Sequence, residues 1–223
     1  MGSMDQTKKI ILTALGMALI AFFIGGGTYA YFSDVEMAQN NNFTAGTLNL
    51  WVGQYDPCNE SVTINPLKPG DSGITANWTL RNTGNIAGIF NVSMGAVTGD
   101  EGISTEPEGE MTNGSTVGLE DKLRVALWID VDNDGVWESG DQYLDSAGNI
   151  RNYSAGDPDL PEAAYDALDT FGNRSWDDIK TADADSAFGY FRISYDLPPE
   201  TGNEVQGDSC LFNITFRLKQ PQP

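Results

Sequence analysis

The residues best placed to do chemistry lie in DVDNDGVWESGD, Asp130 to Asp141. Asp130, Asp132 and Asp134 alternate at its start, Gly135 follows, and Val136 offers a backbone carbonyl. Glu138 and Asp141 fill the ninth and twelfth places. This is the order of an EF-hand-type loop, in which a hard cation collects roughly six to eight oxygens around a sharp turn that glycine permits. Asp141 stands where an EF-hand carries Glu, and its shorter arm suits a contact through one oxygen. The residues just before the loop alternate as a strand does. The expectation is therefore a structural Ca2+ site, EF-hand-like but mounted on a β scaffold. The same residues also suit a solvated acidic turn, because Asn-Asp-Gly is good turn chemistry by itself.

Composition narrows the remaining chemistry. The 223 residues carry a formal net charge of −20, which makes nucleic acid an unsuitable partner. Histidine is absent, and with it the usual zinc ligand, the usual proton shuttle and the imidazole triads. Acidic pairs such as Asp177–Asp178 and Asp183/Asp185 offer carboxylates for acid–base work, but nothing in the sequence places them in a cleft. They read as solvated loop, and no catalytic residues are assigned.

Two cysteines occur, Cys58 and Cys210. In an exported chain an even count suggests a disulfide; two buried free thiols are the other reading. A bridge closing so long a loop contributes about 4–5 kcal/mol on the chain-entropy account. Asn-x-Ser/Thr sequons occur at Asn42, Asn59, Asn77, Asn91, Asn113, Asn152, Asn173 and Asn213. Asn77, Asn91 and Asn213 fall on the polar faces of predicted strands, where an N-linked glycan has room.

The elements that must position these residues are strands. TLNLWVG sets Leu48, Leu50 and Val52 on one face, and GITANWTLRN does so for Ile74, Ala76, Trp78 and Leu80. Phe90, Val92 and Met94 alternate, as do Leu123, Val125, Leu127 and Ile129, then Phe191, Ile193 and Tyr195. CLFNITFRLK is the clearest, with Phe212, Ile214, Phe216 and Leu218 on one face. One buried face per strand predicts an all-β, jelly-roll β-sandwich with loop insertions. Val97 to Gly118 reads as an acidic loop. Residues 145–186 read as an insertion with one short helix in DLPEAAYDALDTFG, where Pro161 opens the helix and Gly172 follows its end.

The N-terminus begins with Lys8-Lys9, an uncharged run from Ile10 to Ile24, a triple glycine and small residues at Thr28 and Ala30. Fifteen apolar residues are short for a span of about 20. The pattern predicts a signal peptide, 1–30, cut between Ala30 and Tyr31. A retained pilin-like anchor helix is the competing reading.

GGGTYAYFSD at this point, then FTAGTLNL, LKPGDSG and LRNTGNIAG, resemble the TasA/camelysin family. The ending LPPETGNEVQGDSCLFNITFRLKQ looks like archaeal, bundling-pilus members. The resemblance covers residues 8 to 95 and 187 to 220. It implies processing by a SipW-like signal peptidase, with the membrane met only by the precursor, and a jelly-roll subunit, residues 44–223, that assembles outside the cell. Residues 31–43, beginning YFSDVEMAQNNN, would be the donor strand that completes the sheet of the next subunit. Tyr31, Val35 and Met37 share one of its faces, and Phe32 lies beside them. Strand addition of this kind supplies main-chain hydrogen bonds and a fixed register, and a head-to-tail contact that does not close propagates a filament. The implied product is a homopolymeric cell-surface pilus or biofilm-matrix fibre that mediates cell–cell adhesion. Some camelysin relatives are described as metalloproteases; this chain has neither a histidine nor an HExxH helix to carry that chemistry. A monomeric calcium-binding surface or S-layer-associated module is the alternative.

Overall fold

The computed structural model describes residues 46–54, 58, 63, 66–100, 117–156, 159–205 and 207–221, together with 6, 8, 10, 11 and 13–17. Two units result, Met1–Ala45 and Gly46–Pro223. In the first, the described residues are helical. Among the described residues no helix is long and apolar enough to cross a membrane. The cleavage site at Ala30/Tyr31 and the donor segment 31–43 lie outside the described residues.

The second unit is all-β. Its strands are β1 (Leu50–Val52), β2 (Ser72–Asn82), β3 (Gly88–Met94), β4 (Thr98–Asp100), β5 (Arg124–Asp130) and β6 (Gln142–Leu144). They continue with β7 (Ile150–Asn152), β8 (Asp166–Ala167), β9 (Ser175–Ala182), β10 (Ser186–Asp196), β11 (Ser209–Leu211) and β12 (Ile214–Lys219). The larger sheet runs β1-β2-β10-β5-β6-β7, with β8 sharing the edge of β5 beside β6. The smaller sheet is β12-β3-β9, and β4 and β11 form a ribbon. Every pairing is antiparallel.

The sandwich follows from the alternation. Phe90, Val92 and Met94 of β3 are buried, as are Leu127 and Ile129 of β5 and Phe191 of β10. Rings join the sheets. Phe216 of β12 meets Phe191 edge-on at 5.0 Å and Trp78 at 5.8 Å, and stacks on Phe90 at 6.0 Å. Phe90 in turn meets Phe188 at 5.1 Å. Ring pairs at these separations add to the stabilisation that burial alone provides.

Several expectations change in the structure. β5 is buried on both faces, because Ala126, Trp128 and Asp130 are covered as fully as their inward neighbours. Ile74 turns outward and is 46% exposed. The pairing of β2 with β10 shifts between Ile193 and Ser194, and Thr75 is the extra residue that reverses the alternation. The expected helix in 159–172 does not form. Two 3-10 turns, Glu162–Ala164 and Leu168–Phe171, flank β8 instead. The edge of β5 takes that backbone: Ala167 pairs with Arg124, and the Leu168 N–H donates to the Leu123 carbonyl at 2.9 Å. A one-turn helix lies elsewhere, at Leu119–Lys122. The 145–186 stretch also contains β9, a strand of the smaller sheet whose Trp176, Ile179 and Ala182 are buried.

The expected disulfide is not present: Cys58 is an exposed free thiol and Cys210 a half-buried one. Cys210 pairs with Gly99 across the β4–β11 ribbon, and burial pushes its thiol up to about 11.

Phe90 touches both sheets, so Phe90→Ala is expected to lower stability by about 3–5 kcal/mol. Urea unfolding followed by tryptophan fluorescence measures this. A loss below about 1 kcal/mol would show that the sheets are held elsewhere.

Candidate functional site

The acidic loop starts where β5 ends. The Asp130 carboxylate is fully buried. Its Oδ1 accepts the N–H groups of Asp132 at 3.1 Å and Asn133 at 2.7 Å. Its Oδ2 accepts the Gly135 N–H at 2.9 Å and Arg192 Nε at 2.7 Å. The turn needs left-handed backbone at Asn133 (φ 70°) and Gly135 (φ 77°), which asparagine and glycine tolerate best. Burial opposes the charge on Asp130, but the Gly135 and Asn133 N–H groups, the Arg192 guanidinium and the Asp132 N–H together hold its pKa below the usual value.

Asp141 closes the loop in the same manner. It is buried, and its two oxygens accept the N–H groups of Val131 and Glu138, each at 3.0 Å. Burial dominates here and raises its pKa against those two hydrogen bonds, with Asp130 and Asp132 adding to the rise. Between the two anchors, Asp132 and Asp134 are exposed, and their Oδ1 atoms accept the N–H groups of Asp134 at 3.3 Å and Val136 at 2.7 Å.

The structure therefore brings together the first three predicted ligands. One carboxylate oxygen from each of Asp130, Asp132 and Asp134 lies within 4.8 Å of the others. Glu138 feels the same charge: Asp132, then Asp134, and after burial also Asp141 and Asp130, raise its pKa. Val136 keeps its place in the loop with its side chain outward. The donor set is all oxygen, which suits a hard cation. Asp130, however, already spends its oxygens on three N–H groups and a guanidinium.

Arg192 is the residue that sequence reasoning missed. It lies on β10, opposite Trp128 of β5, with its guanidinium 5.6 Å from that ring centroid. Its Nη2 donates to Asn133 Oδ1 at 3.0 Å. The signal was an arginine inside the apolar run GYFRISYDL, on the face taken as outward. That face is covered by Trp137 of the loop, which packs on Trp128, Tyr143 and Tyr153.

A second feature is the free edge of β12. Among the described residues β12 pairs only with β3. Ile214, Phe216 and Leu218 pack against the core but stay half-buried, whereas Phe90, Val92 and Met94 beside them on β3 are fully covered. An edge strand presents unpaired N–H and C=O groups to any chain that can lie beside it.

Among the sequons, Asn77, Asn152, Asn173 and Asn213 are exposed. Asn91 is a correction: it is buried, and its Oδ1 accepts the Asp178 N–H at 2.8 Å across a bulge between β3 and β9. A glycan there would break that contact. Asn42, Asn59 and Asn113 lie outside the described residues.

The fold and site define an antiparallel β-sandwich with an oxygen-lined acidic loop and, among the described residues, an edge strand β12 whose apolar face is half-covered. The chain belongs to the family described as camelysin metallo-endopeptidase, whose match runs over residues 5–223. It is also similar to the major biofilm matrix component of Bacillus subtilis (strain 168), at 35% identity over 109 residues. That alignment covers 47% of this chain and 40% of the relative, so the chain spans well under two thirds of the relative's length.

Removing one partner of a buried ion pair strands the other charge. Arg192→Met is therefore expected to cost about 3–5 kcal/mol in chemical unfolding. Asp132→Asn, at the exposed rim, should change stability by less than about 0.5 kcal/mol in cation-free buffer. Equal effects from the two would remove Asp130–Arg192 from its anchoring role.

Proposed function

We propose that the chain is a secreted structural subunit that polymerises into an extracellular pilus or biofilm-matrix fibre and is not an enzyme. The observation that carries this reading is the β12 edge, a strand with a half-covered apolar face and no second hydrogen-bonded strand among the described residues. The similarity to a biofilm matrix component supports it. So does the lack of histidine in a family whose description names a metallo-endopeptidase.

In this reading a SipW-like peptidase cuts between Ala30 and Tyr31, and residues 31–43 of one subunit lie along an open sheet edge of the next. Main-chain hydrogen bonds supply affinity there, and alternate side chains supply register. Because donor and acceptor are different surfaces, the contact extends head to tail. The exposed Asn77, Asn152, Asn173 and Asn213 are the candidates for N-linked glycans on such a fibre.

The assembly test is electron microscopy of the chain beginning at Tyr31 beside one lacking Tyr31 to Asn42. Filaments from the first alone are expected. Folded monomers from both would favour the surface-module alternative, and filaments from both would keep the polymer but discard the donated strand.

The acidic loop in this reading holds Ca2+ through Asp130, Asp132, Asp134, Val136, Glu138 and Asp141, stiffening the outer face of the subunit. A cation that binds only the folded state stabilises it by about 2.7 kcal/mol at a hundredfold excess over its Kd. Added Ca2+ should therefore raise the melting temperature and a chelator should reverse the rise. The paired change Asp132→Asn and Asp134→Asn should abolish the response. A melting curve indifferent to Ca2+ would leave the loop as a turn held by its own hydrogen bonds.

A further inference from the structure

The β12 edge carries a second pattern besides its apolar face. Along the strand, Ile214, Phe216 and Leu218 pack toward the core, and Thr215, Arg217 and Lys219 take the outer face. Lys219 pairs with Asp178 at 2.8 Å. Arg217 is exposed and has no ion pair among the described residues.

Four strands end the two sheets, β1 and β7 in the larger, β9 and β12 in the smaller. β1 has no charged side chain. Arg151 of β7 is held by Asp145 at 3.0 Å. β9 presents Asp177 and Asp178, both exposed. Among these four, β12 is the edge on which two cations alternate with apolar side chains.

The segment read above as the donated strand has the opposite pattern. Within Ser33–Met37, Val35 and Met37 alternate with the carboxylates of Asp34 and Glu36. Resting on that reading, we propose that these charges set the edge, direction and register of the joint. Residues 34–37 of one copy pair antiparallel with Phe216–Lys219 of the next. Asp34 stands opposite Lys219, Val35 opposite Leu218, Glu36 opposite Arg217 and Met37 opposite Phe216.

The period of two fixes this choice, because directly opposed residues share a face of the sheet. Antiparallel, the four positions give two charge pairs outside and two apolar pairs inside. A parallel strand with the same charges matched leaves Ser33 on Phe216 and Met37 on Gln220. A slip of two residues loses a charge pair, and a slip of one turns both carboxylates toward the core. The carboxylates of β9 repel the same segment. Exposed pairs of this kind add little strength, so their effect is on partner and register.

The test titrates a fluorescent peptide of residues 31–43 against the full chain and reads anisotropy. Arg217→Glu is expected to weaken binding of the native peptide at least about threefold, and Glu36→Arg in the peptide to restore it to within about twofold. Lys219→Glu should be rescued by Asp34→Lys in the peptide and not by Glu36→Arg. Thermal unfolding verifies that each variant folds. Binding indifferent to these charges, weakening without rescue, or rescue by the crossed pairs overturns the register and leaves strand donation standing. No binding of the native peptide overturns both.

Discussion

The pair Asp130–Arg192 governs how the outer face of this sandwich is built. Both groups are removed from water in the middle of the larger sheet, Asp130 completely and Arg192 nearly so. Buried charges of this kind persist when their lone pairs and protons find partners, and here four donors meet the two Asp130 oxygens. Three of those donors are backbone N–H groups of the acidic loop. The loop conformation is therefore a consequence of the sheet, because moving the turn would uncover a desolvated carboxylate. Arg192 also lies against Trp128, whose Nε1 donates to Ser194 Oγ at 2.9 Å. A polar and aromatic layer thus covers β5 from outside, and this is why both its faces are buried.

The two sheets differ in completeness. The larger one has β5 and β10 enclosed by neighbours, and its end at β6–β7 is short. The smaller one has three strands, and its β12 carries large apolar side chains that the sandwich only half covers. Proteins commonly protect such an edge with charge, a bulge or a covering segment. Charge is modest here: Arg217 is exposed, and Lys219 pairs with Asp178 at 2.8 Å. The main-chain edge itself remains the strongest structural reason to read the unit as part of an assembly.

The sequence made the inner face legible and the outer face obscure, for a physical reason. Alternation reports burial on one side of a strand, so β3, the inward positions of β5 and the Phe191–Ile193 pair were readable from Phe90, Leu127 and their neighbours. It cannot report that an aromatic loop covers the other side, and Arg192 therefore looked solvated. Bulges defeat the period as well. Thr75 turns Ile74 outward, and the extra residues of β9 between Trp176 and Lys180 bring the Asp178 N–H onto Asn91, making a sequon asparagine a buried acceptor. The helix expected after Pro161 had suitable boundary residues, but local preference lost to the unpaired edge of β5. The acidic loop was legible as a set of residue types at fixed spacing. Its anchoring arginine lies some sixty positions away, and no local pattern reaches that far.

Charge would set the terms on which copies meet in the proposed fibre. At a net charge of −20 two copies repel at long range, but physiological salt limits that repulsion to about 8 Å. Strand pairing and apolar contact act within a few ångströms, so they decide the strength of a joint, while ionic strength decides how readily copies approach. Carboxylates concentrate in the Asp130–Asp141 loop, and the divalent ion proposed there would cancel charge where it is densest. The same loop packs Trp137 on Trp128, Tyr143 and Tyr153. The acidic loop and the aromatic cover of the outer face thus share one mechanical support in Asp130 and Arg192.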